Sequence, residues 1–157
     1  MVIDIRRTAI RMRLRGLITA VIFTCLIILI LLADVFEEVH FGISRSYLVI
    51  FFSAIYLIVI LYIYLKDYHY IYFNDESNKI LLRYYSMRPF SQAKRSIEIP
   101  KGNLSKYENR TGTFGLNDKI VLYQKVKAGV YKYPPVSITA LSPQEKNQLI
   151  QALNKLV

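Results

Sequence analysis

Two stretches of the chain carry no charged residue: Gly16 to Ala33 and Ser46 to Leu65, both mostly Leu, Ile, Val, Phe and Tyr. At about 1.5 Å of rise per helical residue, each is long enough to cross a hydrocarbon core of about 30 Å. The pattern therefore predicts two transmembrane helices over 16–33 and 46–65. Beyond Lys66 the period changes. Tyr68 to Phe73 is rich in strand-forming aromatics, Asn74-Asp75-Glu76-Ser77-Asn78 reads as a turn, and Lys79 to Tyr85 resumes the β character, which predicts a hairpin. Ser96-Ile97-Glu98-Ile99-Pro100 alternates with period two, Leu104 to Tyr107 suits a short strand, and Lys119 to Gln124 is a clear one. Val130 to Thr139 is a further strand, broken at Pro134-Pro135, where a bulge or an edge is expected.

The chain ends on a helix with explicit signals. Ser142-Pro143-Gln144-Glu145 offers an N-cap serine, proline in the first turn and glutamate three residues after the cap. Leu149, Ile150, Leu153, Leu156 and Val157 then fall on one face. The expected architecture is a membrane α-helical hairpin followed by an α+β cytoplasmic domain. That domain would be a small β barrel or curled antiparallel sheet of five to seven strands, capped by the C-terminal helix. The expected divisions are a basic flank over 1–15, the hairpin over 16–65 and the β domain over 66–157.

Composition adds direction to this layout. The apolar fraction is 54% and the formal charge +10, which excludes an ordinary cytosolic enzyme. One cysteine, Cys25, inside the first apolar run, excludes a disulfide-stapled secreted module. Arg6, Arg7, Arg11, Arg13 and Arg15 precede the first span against Asp4 alone. The connecting segment holds Asp34, Glu37, Glu38 and Arg45, and the region from Lys66 onward has fifteen Lys or Arg against seven acids. Cationic flanks stay on the cytoplasmic side, so those five arginines act as topology determinants and both termini are expected in the cytoplasm. Leu31-Leu32-Ala33 lacks a small-x-small cleavage pattern, so the first span is read as a retained helix and not as a signal peptide.

The spans hold no ionisable side chain other than Cys25 and the tyrosines, which argues against a pump or transporter acting alone. Thr19, Thr24 and Ser53 are expected to bond back to their own helices or to let helices approach closely. Tyr47, Tyr62 and Tyr64 suit interfacial anchoring, while Tyr56, mid-span, is expected to hydrogen-bond to the first helix.

Three segments carry a resemblance: Tyr70-Ile71-Tyr72-Phe73 after the second span, Ile97-Glu98-Ile99-Pro100, and Tyr133-Pro134-Pro135-Val136 leading to Leu141-Ser142-Pro143-Gln144-Glu145-Lys146 and Leu149-Ile150. Over about residues 46–157 the chain resembles the bacterial two-helix membrane proteins with pleckstrin-homology-like (PH-like) domains, the YcxB-like group among them. The resemblance implies a PH-like barrel, a place in the bacterial inner membrane, and no catalytic residues. The acidic Asn74-Asp75-Glu76 turn departs from a phosphoinositide-binding signature. In such chains the segment before the hairpin often supplies strand material to the domain. Here Ile10-Arg11-Met12-Arg13-Leu14-Arg15 alternates with period two as an edge strand would, although a charged flank that sets topology explains it as well.

A search for chemistry returns little. His40 and His69 are the only histidines, and there is no Gly-x-Ser-x-Gly turn, no metal-ligand spacing and no phosphate-cradling loop, Gly112-Thr113-Phe114-Gly115 being too short. His69 is expected to be a surface strand residue. Glu98, Glu108 and Asp118 read as surface charge balance, and the sequons at Asn103 and Asn109 are cytoplasmic in this topology. No cofactor is expected. Lys94, Arg95, Lys101, Lys106 and Arg110 crowd one stretch, and Lys125, Lys127 and Lys132 form a second group. Near an anionic leaflet each cation contributes about 1 kcal/mol of attraction. The first group is the candidate docking site for anionic headgroups or an acidic protein partner. Nucleic acid is not expected, because the aromatics interleave with apolar residues and not with arginines.

These features point to a non-enzymatic accessory or adaptor protein. The readings from other classes are a membrane immunity or defence factor acting through its spans, and a self-associating homo-oligomeric channel or lipid-handling protein.

Overall fold

A computed structural model of the 157-residue chain describes residues 1–32, 45–88, 91, 93–112 and 115–157. The expected acidic connecting segment, with Asp34, Glu37, Glu38 and His40, lies outside the described residues, as do Thr113 and Phe114. Strand β1 (Val2–Asp4) is followed by two helices, α1 (Arg6–Leu32) and α2 (Arg45–Lys66). Strands β2 (His69–Asn74), β3 (Lys79–Ser86) and β4 (Lys94–Pro100) follow, then a 3-10 turn at Lys101–Asn103. After it come β5 (Leu104–Thr111), β6 (Asp118–Val126), β7 (Gly129–Lys132), β8 (Val136–Ser137) and helix α3 (Pro143–Asn154).

The chain divides into two compact units, Met1–Ile10 with Tyr64–Val157, and Arg11–Ile63. The helical unit contains most of both long helices. Each is long and apolar enough to cross a membrane, with a mean hydropathy of 2.6 and 2.7 over its most apolar window. Leu17, Val21, Leu29, Phe51, Leu57 and Ile58 are exposed along them. Thr19 donates its hydroxyl to the Arg15 carbonyl oxygen at 2.9 Å, the expected back-bond to its own helix. Tyr56 differs from expectation. Its ring packs on Phe23 of α1 at 5.1 Å between centroids, and among the described residues its hydroxyl bonds nothing on α1.

The β unit holds two antiparallel sheets, one ordered β1-β2-β3-β4 and the other β5-β6-β7 with β8 also on β6. No strand pairing joins them among the described residues, so the sheets do not close into a barrel. In the first sheet, alternation places Ile71 and Phe73, Ile80, Leu82 and Tyr84, and Ile97 and Ile99 on one buried face. β6 is buried at four successive positions, Ile120 to Tyr123, so both of its faces are covered. Pro134-Pro135 separates β7 from β8, the break expected there. In α3 the capping box forms as the sequence predicts: Glu145 N–H donates to Ser142 Oγ (3.3 Å) and Ser142 N–H donates to Glu145 Oε2 (2.8 Å). Its buried side is Leu149, Ala152 and Leu153, while Val157 is exposed against expectation because the helix ends at Asn154.

The N-terminal segment is the main departure. Ile10 to Arg15 is helical throughout, and the strand lies earlier, at Val2–Asp4, paired with β2 in the register Ile3↔Phe73 and Asp4↔Tyr72. Residues 1–10 therefore belong with the β unit and not to a separate 1–15 flank, and Ile3, Ile5 and Ala9 are buried in its core. Asp4 ends the strand and starts the helix. Its carboxylate accepts from the Arg6 N–H at 2.9 Å, satisfying a first-turn amide, and from the Tyr70 hydroxyl at 2.9 Å. Burial, and then this bond, raise the Tyr70 phenol above its ordinary value.

Candidate functional site

The five clustered cations of residues 94–110 do not form one surface. Lys94 and Arg95 open β4, and successive strand residues point to opposite faces. Arg95 therefore shares the face of Ile97 and Ile99, while Lys94 shares that of Ser96 and Glu98. Lys101 lies in the 3-10 turn, its N–H donating to the Asn78 carbonyl oxygen at 3.0 Å. Lys106 and Arg110 stand on β5 either side of Glu108 and grip it. Lys106 Nζ donates to Oε1 at 2.9 Å, and Arg110 donates to Oε2 through Nη2 (2.6 Å) and Nε (3.1 Å). Bonds from Lys106, then Arg110, then Tyr123 pull the Glu108 carboxyl down to about 2, and Glu108 raises both of its partners. Lys106 also lies 4.5 Å above the Tyr123 ring. Glu108 cancels one of these two charges and holds both side chains in place, so they are not a pair of free cations. Among the topology arginines, Arg6 reaches Asp4 at 4.0 Å, and Arg7, Arg11, Arg13 and Arg15 are exposed along α1.

The second group of cations is better presented. β6 and β7 form a hairpin in the register Val126↔Gly129, with Gly129 at φ 130°, a conformation that a residue with a Cβ rarely adopts. All four residues of β7 are exposed. Val130 (57% exposed), Tyr131 (52%) and Val126 stand among Lys125, Lys127 and Lys132, and no acidic residue occurs between Lys119 and Ala140. None of the three lysines has an ion-pair partner among the described residues.

A polar staple sits where the last turn of α2 enters the β unit. Asp67 adopts φ 48°, and its carboxylate takes Arg88 Nη2 at 2.9 Å and Lys119 Nζ at 3.5 Å. The Arg88 guanidinium lies 4.0 Å from the Tyr64 ring centroid and donates to its hydroxyl at 3.3 Å. Asn117, 4% exposed, donates Nδ2 to the Leu65 carbonyl oxygen at 2.8 Å, satisfying a carbonyl that the helix end leaves open. His69, read from sequence as a surface residue, has a side chain only 14% exposed, with Nδ1 3.0 Å from the Asp67 carbonyl oxygen. That oxygen only accepts, so Nδ1 carries the proton. Asp118, expected to balance surface charge, accepts Lys146 Nζ of α3 at 2.5 Å.

These partners lie up to 52 residues apart (Asn117 to Leu65), which is why sequence reasoning missed them. Among the described residues no group of three or more His, Cys, Asp or Glu could hold a metal ion. Compared with protein-family models, curated proteins and solved structures, the chain matches none of them.

Proposed function

We propose that the chain is a non-enzymatic accessory or adaptor protein of the bacterial inner membrane. In this reading a two-helix hairpin anchors it with both termini cytoplasmic, and a PH-like β domain presents the β6–β7 hairpin to a protein partner. The antiparallel pairing of Asp4 with Tyr72 supports the hairpin topology. The chain leaves the first sheet immediately before α1 and re-enters it three residues after α2, so the start of α1 and the end of α2 both adjoin one domain. Arginines at the start of α1 and the basic β unit support a cytoplasmic side for that domain under the positive-inside rule. Two antiparallel sheets followed by a helix is the element order that a PH-like reading requires, although strand pairing does not close them.

The observation that carries the adaptor function is the β6–β7 hairpin itself: strand register sets exposed Val130 beside the unpaired Lys125 and Lys132 on one face, and exposed Val126 and Tyr131 on the other. A protruding hairpin with exposed apolar side chains on both faces and charge of one sign suits a contact surface, and its complement is an acidic, partly apolar protein segment. The test is purification of the tagged full-length protein from its native host in mild detergent, beside a Val130→Glu/Tyr131→Glu variant. A stoichiometric partner that the variant loses supports the adaptor. Recovery of the wild-type protein alone overturns it.

A further inference from the structure

On the buried face of the first sheet, the side chains change character toward one end. Strand register aligns Ile80 with Ile99, and Leu82 with both Ile97 and Phe73. One step further the aligned residues are Ile71, Tyr84 and Arg95, and the step after that pairs His69 with Ser86. The apolar core thus gives way to hydrogen-bonding groups at an open end of the face, where Tyr84 is buried and Arg95 is exposed. Ser91 and Ala93 from the β3–β4 connection and Pro135 from the β7–β8 connection complete a cavity of about 170 Å³ around them.

We propose that this cavity binds a phosphate-type oxyanion. Its lining includes arginine, histidine, two serines and two tyrosines, and no carboxylate. The Arg95 guanidinium has no hydrogen-bond or ion-pair partner among the described residues, so its planar fork is available for the bidentate recognition that phosphate and carboxylate groups favour. Ser86 Oγ accepts the Arg88 N–H at 3.3 Å, which leaves its hydroxyl hydrogen to donate. The Ser91 and Tyr84 hydroxyls have no protein partner among the described residues. Asp67, the carboxylate beside His69, is occupied by Arg88 and Lys119 and does not oppose an anion with a free charge. The volume is well below the roughly 300–1,000 Å³ of sites for drug-sized ligands and equals the liquid volume of about five or six waters, which suits one small charged group.

Two sources supply that group, a lipid headgroup or a free phosphate. His69 follows the last residue of α2 by three positions, so about 10 Å of extended chain at most separates them. If α2 spans the bilayer as proposed above, a headgroup phosphate lies within reach. That clause alone depends on the membrane reading, and the pocket does not.

The test is isothermal titration of the full-length protein in maltoside micelles with inorganic phosphate and, separately, with dihexanoyl phosphatidylglycerol, at fixed ionic strength. Arg95→Gln is expected to weaken binding at least tenfold and Arg95→Lys several-fold, because a point charge replaces the fork. Lys94→Gln, on the opposite face of the same strand, leaves binding unchanged. Tighter binding of the lipid than of phosphate assigns the headgroup, and equal or weaker lipid binding assigns the free ion. Absence of binding by both probes, or equal losses in Lys94→Gln and Arg95→Gln, overturns the site. Circular dichroism of each variant separates a lost site from a lost fold, and Arg95→Lys retains the test if Arg95→Gln fails to fold.

Discussion

Replacing Gly112 with alanine tests the polar staple at the end of α2 through a residue that touches neither the helix nor an ion pair. Gly112 N–H donates to the Asn117 carbonyl oxygen at 2.7 Å, and a Cβ at position 112 would lie 1.6 Å from Asn117 Oδ1 and 2.7 Å from its Cγ. That oxygen has no hydrogen-bond donor and is fully buried. The short amide cannot swing aside and still reach the Leu65 carbonyl oxygen with Nδ2. Gly112→Ala therefore costs the Asn117–Leu65 bond, about 1 kcal/mol, and leaves a buried carbonyl or amide unpaired, a further ~1–3 kcal/mol. The expected total is about 2–4 kcal/mol. For a domain of this size that lowers the unfolding midpoint by about 10 °C or more.

Urea and thermal unfolding of the full-length protein in maltoside micelles, followed by tyrosine fluorescence, measures it. Asn117→Ala removes the same bond, so the two substitutions overlap, and the double variant should be less destabilised than the sum of the singles by at least about 1 kcal/mol. A Gly112→Ala variant within about 0.5 kcal/mol of wild type, or strict additivity with Asn117→Ala, refutes the staple.

Three further outcomes follow from the same structure. Ile5→Ala is expected to destabilise the β unit by about 2–4 kcal/mol, because Ile5 is 1% exposed, while Val2→Ala on the outer side of β1 has little effect; urea midpoints of the two variants decide it. Ser142→Ala removes the capping box of α3 and costs about 1 kcal/mol in the same assay. The Glu108 carboxyl, ordinarily at 4.5 and held near 2, is expected to titrate by NMR at about pH 2 and to move back up in Lys106→Met. Because the folded value lies below the ordinary one, its ion pairs add stability fully above about pH 4.5 and lose it as pH falls through about 2.

Local signals made part of the fold legible in the sequence. The β2–β3 hairpin follows from strand formers on either side of an Asn/Asp turn, and α3 from a cap, a proline and a glutamate within four residues. Strand β1 did not announce itself. Three residues carry too little period to stand out, and its partner lies about seventy positions away, while the more regular alternation at Ile10 to Arg15 lies in a helix.

The cationic cluster shows the same limit. Proximity in sequence grouped Lys94 with Arg95 and Lys106 with Arg110, but strand parity separates the first pair and Glu108 binds the second. The parity was readable: extending the Ile99-Ile97 alternation one step back puts Arg95 on the same side of the sheet as those residues, at an end where it is exposed. What hid it was the strand's start, which sequence placed at Ser96 and the structure places at Lys94. The ring of Asp67, Arg88, Lys119 and Asn117 draws on segments that only the folded chain brings together, and nothing in their spacing signals it.

The hairpin topology is tested most directly by cysteine labelling in intact cells. In a Cys25→Ser background, single cysteines at Val2, Ser77, Lys155 and, in the segment between the helices, Gly42 are challenged with a membrane-impermeant maleimide. The proposed topology, with the start of α1 and the end of α2 at one cytoplasmic domain, predicts that Val2→Cys, Ser77→Cys and Lys155→Cys react only after the inner membrane is permeabilised, and that Gly42→Cys reacts before. Labelling of Val2→Cys and Ser77→Cys from opposite sides of the membrane would contradict the pairing of β1 with β2 and the topology built on it.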